Sequence, residues 1–275
     1  MAARLALESR LGEATINTRI ALVGGGAAGI GHATAAHLLR QGHGVVLAGR
    51  HIDTLAAAAD KLRADCTGPV DTLVHDVSRL SDVDAAQTVQ HVEETHGSLD
   101  ILVLNAGGPP PGRILDVTDE QWLHSVELLL LGPLRLARAA LPAMAVRGFG
   151  RIVLVTSAAV RQPQPDLAIS VVLRSAATAA AKLLSREYAA NGVTVNCVAP
   201  GATATDRRTE VLAARAASSG ATVEEVAALD TMDVPAARPA SADEIGAAVA
   251  FLASRAASYV NGTVLTVDGG RTETI

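Results

Sequence analysis

The chain has 275 residues, 49% of them hydrophobic and 2% aromatic, with a formal net charge of −5. That length suits one α/β domain, and the apolar share suffices for a large core built from Ala, Val, Leu and Ile rather than from rings. The negative balance, free of runs of like charge, excludes the basic patch a nucleic-acid partner asks for.

Residues 1–18 contain Glu8 and Glu13 and no continuous apolar core, so they read as an extra arm and not as a secretory signal. From residue 19 onward, short apolar runs alternate with helical patterns. Ile20–Val23, Val45–Ala48, Leu73–His75, Ile101–Leu104, Ile152–Val155, Val193–Val198 and Val264–Val267 read as seven strands, each bounded by Gly, Asn, Asp or Pro. Gly29–Gln41, Ile52–Ala64, Leu80–His96, Asp119–Val146, Ser170–Ala190 and Ala242–Ser254 read as helices. Strict β-α alternation predicts a single doubly wound Rossmann-type domain over 19–275: a parallel sheet with helices on both faces and a ligand crevice at the carboxyl ends of the strands. Residues 206–240 form the one long stretch without a strand. It is expected to hold one or two short helices that overhang the crevice as a substrate lid.

The two cysteines, Cys66 and Cys197, match no metal spacing and read as buried small hydrophobes, so no metal site is expected. No apolar stretch looks long enough to span a bilayer, since Glu127 and Gly132-Pro133 flank the Leu128–Leu131 run. A soluble cytoplasmic protein acting on a small molecule, with no membrane partner, is the expectation.

The first strand runs into Gly24-Gly25-Gly26-Ala27-Ala28-Gly29-Ile30-Gly31, and a helix follows. Glycines at 25, 29 and 31 let the backbone turn tightly and approach a pyrophosphate, while the helix N-terminus offers free N–H groups. This predicts dinucleotide binding. The end of the second strand, Val46-Leu47-Ala48-Gly49-Arg50, lacks the acid that would bond a ribose 2′-hydroxyl. The guanidinium of Arg50 suits a 2′-phosphate, so NADP is favoured over NAD; otherwise Arg50 is a solvated surface charge.

With that loop, five further landmarks resemble the short-chain dehydrogenase/reductase family over about residues 18–270. They are His75-Asp76-Val77, Asn105-Ala106-Gly107, Gly150-Arg151-Ile152-Val153, Pro200-Gly201 with Thr205, and Val267-Asp268-Gly269-Gly270. The resemblance implies that Gly25, Gly29, Ile30 and Gly31 hold the cofactor phosphates and that Asp76 with Val77 meets the adenine. It places Asn105, Ala106 and Gly107 along the cofactor, and Pro200, Gly201 and Thr205 near its nicotinamide or phosphate. It also implies a homodimer or homotetramer packed through Asp119–Val146 and Ser170–Ala190. From the residues alone, Asp76 reads equally as a helix cap and Gly107 as a turn glycine.

The family's chemistry uses a Ser, a Tyr thirteen residues later, a Lys four beyond that, and an Asn on the preceding helix. Here these positions hold Ser157, Ser170, Arg174 and Leu129, so three of the four are replaced. An aliphatic hydroxyl cannot be poised near pH 7 as a phenol beside a cation can. Arg174 keeps the charge and can bond a ribose or phosphate, but it releases no proton. Tyr188 shares a helix with Ser170 yet lies about 27 Å along its axis, out of reach. The pattern is similar to 3-oxoacyl carrier-protein reductases, in an atypical subgroup without the Tyr and Lys. Two nearby charges have open roles. Arg113, in the Gly107–Arg113 loop, is either an anion-binding or carbonyl-polarising group or a solvated residue. Asp166 is either a helix cap or an acid.

Three functions follow. One is an NADP-dependent oxidoreductase on a carbonyl or alcohol, its proton coming from Ser157, water or substrate. The others are a non-redox enzyme on the same scaffold (isomerase, dehydratase or cyclase) and a non-catalytic NADP-binding sensor or partner subunit.

Overall fold

The computed structural model describes residues 18–274. The arm expected over 1–18 lies outside the described residues, apart from Thr18.

Seven parallel strands are ordered β3-β2-β1-β4-β5-β6-β9. They are β1 (Ile20–Gly24), β2 (Gly44–Gly49), β3 (Val70–Val74), β4 (Ile101–Leu104), β5 (Gly150–Val155), β6 (Val193–Pro200) and β9 (Val264–Val267). The helices are α1 (Gly29–Arg40), α2 (Ile52–Asp65), α3 (Asp82–His96), α4 (Asp119–Val146), α5 (Ala168–Tyr188), α6 (Asp206–Ser219), α7 (Val223–Met232) and α8 (Ala242–Ala253). On one face α1, α2 and α8 bury Leu38, Leu39, Leu55 and Val249 against Val23 and Leu47. On the other, α3, α4 and α5 bury Val92, Leu141, Met144 and Ala181 against Leu102 and Ile152. The central strands β1, β2, β4, β5 and β6 are buried on both faces, which is why they read as continuous apolar runs. Each fully buried Leu contributes about 2 kcal/mol of transfer free energy.

Helix starts follow local hydrogen bonding. Ser81, Thr118, Thr222 and Ser241 each cap a helix, their hydroxyls accepting from the backbone N–H of Asp84, Gln121, Glu225 and Glu244, whose side chains accept in return from the backbone N–H of the cap. Ser81 therefore moves the start of α3 to Asp82 from the expected Leu80. Edge strand β3 begins three residues before expectation: Asp71 and Thr72 are tolerated there because only β2 pairs with it and its residues stay partly exposed. Residues 206–240 hold two helices, α6 and α7. A two-residue parallel pairing of β7 (Thr203–Ala204) with β8 (Ala240–Ser241) closes the insertion at its base, too short to leave any periodicity.

The reading that no apolar stretch is long enough to span a bilayer needs a correction. Asp119–Val146 and Ala168–Asn191 are long and apolar enough, by length and composition, to cross a bilayer. Short strings of charge hide the length of each apolar stripe from a scan for unbroken runs. In this fold those stripes face the sheet, through Leu136, Leu141, Ala177 and Ala181.

Candidate functional site

A crevice of about 470 Å³ runs along the carboxyl edge of the sheet, where the order reverses between β1 and β4. Its central wall is the turn after β1. Gly25 has φ +60, and a Cβ there would lie 2.7 Å from the Asn105 amide nitrogen. A Cβ on Gly31 would lie 2.2 Å from the Gly25 carbonyl oxygen, so α1 can close on the turn only with glycine there. Asn105 Nδ2 donates to the Gly24 carbonyl at 3.0 Å and ties the end of β4 to this turn. Gly25, Gly29 and Ile30 line the crevice, whereas Gly31 is buried behind them as a packing residue.

One end is built by Arg50, His75, Asp76 and Val77, after β2 and β3. Asp76 accepts from the Ser78 backbone at 3.0 Å and its hydroxyl at 2.7 Å. Desolvation opposes its ionisation, but the Ser78 bonds and the charges of Arg50 and Arg79 outweigh it and hold the carboxyl below the usual range. Asp76 thus both caps a turn and faces the crevice. The Nδ1 of His75 is buried without a partner, and burial lowers its pKa despite Asp76. Asn105, Ala106 and Gly107 line the middle, and no atom lies within 4 Å of where a Gly107 Cβ would stand, so this wall is open space.

At the other end the structure separates the four positions of the family's chemistry. Leu129 and Arg174 line the crevice; Ser157 and Ser170 do not. The Ser157 hydroxyl accepts from the Ala159 backbone at 3.2 Å, capping a short 3-10 turn, and Ser170 is buried, accepting from Arg174 Nε at 3.2 Å. Leu129 sits in a π-helical turn of α4, Glu127–Leu131, packed with Ile169 and Leu173. Arg174 Nη1 donates to the Val155 carbonyl at 2.6 Å. Enclosure by protein, with the charge of Arg207, brings its pKa down to about 10. Thr205 lines the crevice and meets the glycine loop, 3.3 Å from where a Gly29 Cβ would stand. Pro200 and Gly201 lie outside the lining.

The structure places three further residues. Arg113 is exposed and lies outside the crevice lining, as its solvated alternative has it, next to the bridge between Gly112 and Leu167. Asp166 caps nothing: α5 begins after Leu167 without a side-chain cap, and Asp166 instead accepts from Arg215 at 2.6 Å. Tyr188 packs under the sheet, as its distance along α5 implied. The other tyrosine, Tyr259, is fully exposed, so neither phenol reaches the crevice.

Sequence reasoning missed Arg207 and His124, which both line the crevice. Arg207 follows Thr205 by two residues at the first turn of α6 and bonds the Pro109 carbonyl and Glu210. His124 precedes Leu129 by five residues on α4. A cation two residues past a family landmark, at the root of the expected lid, was the available signal. Among the described residues no His/Cys/Asp/Glu group could hold a metal ion. Cys197 is buried, which pushes its thiol up to about 11.

Residues 25–272 match the family described as Enoyl-(Acyl carrier protein) reductase. The chain is 34% identical over 252 residues to the 3-oxoacyl-(acyl-carrier-protein) reductase FabG of Haemophilus influenzae, covering 92% of this chain and 97% of that one. Among solved structures it is similar to a variant of actinorhodin polyketide ketoreductase with NADPH, at TM-score 0.88 and 32% identity, covering 95% of this chain and all of that one. It is also similar to L-sorbose reductase from Gluconobacter frateurii complexed with NADPH and L-sorbose, at TM-score 0.86 and 30% identity, covering 94% and 98%.

Proposed function

Because the chain belongs to the short-chain dehydrogenase/reductase family, we propose that it is an NADP-dependent oxidoreductase of a carbonyl or alcohol that works without the family's phenol. The carrying observation is the glycine cradle of Gly25, Gly29 and Ile30, opening on a crevice that has Arg50 at one end and Arg174 at the other. The residues fit the dinucleotide: the turn admits no side chain where a pyrophosphate would approach, and Arg50, near enough to Asp76 to favour that carboxylate but in no close ion pair among the described residues, leaves its guanidinium available to a 2′-phosphate. When bound, NADPH supplies the hydride. Asp76 and Val77 would face the adenine, and Asn105, Ala106 and Thr205 would orient the remainder. Leu129 and Leu128 keep water from the reacting end. The proton comes from water or from the substrate, with His124 the titratable side chain lining the crevice from α4.

The observation that neither tyrosine nor lysine lines the crevice favours a second reading, a non-redox enzyme or an NADP sensor. The exposed Leu123, Val146 and Leu183 on α4 and α5 support a homodimer or homotetramer built on those helices.

The deciding experiment is calorimetric titration with NADPH, NADH and their oxidised forms, followed by a carbonyl-substrate screen at the absorbance of reduced nicotinamide. Micromolar binding, tighter for the phosphorylated form and weakened in Arg50→Met, is expected; no binding of any form would sink the oxidoreductase and sensor readings together. The double variant Ser170→Tyr/Arg174→Lys should raise carbonyl-reductase turnover at least about tenfold, a part of the roughly 10²–10⁴-fold that a positioned general acid supplies. A folded, NADPH-binding double variant with no gain would show that more than the proton relay differs.

A further inference from the structure

Two cations stand at the crevice end remote from Arg50. Arg174 rises from α5 beneath the end of β5, and its two hydrogen-bond partners, the Val155 carbonyl and the Ser170 hydroxyl, are both uncharged. Among the described residues no carboxylate lies within ion-pair distance of it. Arg207 faces the same space from the first turn of α6, held by the Pro109 carbonyl and, on its outer side, by the exposed Glu210. The acid of the lining nearest in sequence, Asp206, pairs with neither guanidinium. Arg174 is enclosed without a counter-charge and shares its lining with a second cation, Arg207, which Glu210 meets only on the exposed outer side; that arrangement is unfavourable, and a guest anion relieves the cost.

The cofactor phosphates are expected elsewhere. The glycine cradle lies over β1 and Arg50 after β2, whereas Arg174 lies at β5, three strands along from β2, or roughly 14 Å at the usual strand spacing. Beside the arginines the wall is apolar, formed by Leu128 and Leu129.

We propose that Arg174 and Arg207 jointly bind the carboxylate of the substrate, so that the substrate class is a keto or hydroxy acid whose carbon chain lies against Leu128 and Leu129. This rests on the reading of the crevice as an NADP-dependent carbonyl site. Two planar guanidiniums match the two oxygens of one carboxylate. They select the acid over its ester, which offers the same carbonyl without the charge.

The test is calorimetric titration of the NADP⁺-saturated protein with acetoacetate and, in parallel, with ethyl acetoacetate. The acid is expected to bind at least about tenfold more tightly than the ester, as a charge-assisted pair allows. Arg207→Met should remove that preference while keeping NADP⁺ affinity, which also certifies that the variant is folded. Equal affinities, no binding of the acid, or a preference unchanged in Arg207→Met overturns the proposal. If NADP⁺ itself fails to bind, the reading of the crevice falls separately. The same titration of the free protein then tests the arginine pair alone, a preserved preference supporting it and none overturning it. Acid binding to the free protein that disappears once NADP⁺ is bound assigns the arginines to a cofactor phosphate and overturns the proposal.

Discussion

Arg174 and Arg215 are both drawn partly out of water, yet one is ringed by acids and the other has none. Arg215, on α6, donates to Asp166 at 2.6 Å, to Asp230 at 2.8 Å and to Gln164 at 2.9 Å. Desolvation disfavours its charge, but the bonds and charges of Asp166 and Asp230 outweigh it and raise its pKa. Asp230 is nearly buried and also faces Arg208 and Arg271. This cluster ties α6 and α7 to the segment before α5 and to the C-terminal tail. At Arg174 the same physics runs with no acid to offset it, and the pKa falls. Compensated charge holds the α6–α7 insertion in place; uncompensated charge marks where a ligand can act as the missing partner.

The comparison breaks most visibly at Asp230. Asp230→Ala leaves three arginines around one lost carboxylate and should cost about 3–5 kcal/mol, the scale for removing one partner of a buried ion pair. Urea unfolding reads the loss, and hydrogen exchange should place the faster opening in α6 and α7. Unchanged exchange there would show that the cluster does not hold these two helices.

Arg174→Met sharpens the contrast from the other side. It removes a charge without a counter-charge and keeps a long apolar stem, so stability should change by less than about 1 kcal/mol. A loss as large as that of Asp230→Ala would mean that the bond to the Val155 carbonyl is a main support of the fold.

The smallest effect concerns a paired carboxylate on the surface. Arg238 donates to Glu244 at 2.7 Å, and the Ser241 backbone adds a second bond; together they lower the Glu244 pKa to about 2. The folded value is depressed, so the contribution is complete above the ordinary glutamate value and is lost as pH falls toward 2. A carboxyl NMR titration should show Glu244 ionised at pH 4, with fraying of the first turn of α8 only below that. A midpoint in the ordinary glutamate range would remove the pair from consideration.

The doubly wound sheet was legible because buried parallel strands leave apolar runs and each glycine of the β1–α1 turn stands where only glycine packs. The cofactor end was legible for the same reason: Gly25, Asn105 and Asp76 act through backbone geometry that motif spacing records. The reacting end was legible only as replacements. Spacing identified Ser157 and Ser170, but their hydroxyls turn to local backbone and to Arg174 instead of the crevice, and spacing carries no information on side-chain direction. Asp166 escaped a local reading because its partner, Arg215, lies some fifty positions further along the chain, whereas Arg113 is exposed, as one of its two local readings has it. Arg207 escaped notice because it belongs to an insertion whose docking is set by tertiary contacts.

Gly132 links the two ends of the crevice. It sits in α4 just after the π turn, and a Cβ there would lie 2.0 Å from the Val77 carbonyl oxygen. Arg135, one turn on, donates to the Leu80 carbonyl at 2.8 Å. As a constraint on mutational drift, this contact leaves position 132 no alternative: even a methyl group would push α4 away from the loop after β3 and spread the walls that carry Val77 and Leu129. The residues of the reacting end can change, as three have here, while the seam that sets the width of the slot cannot.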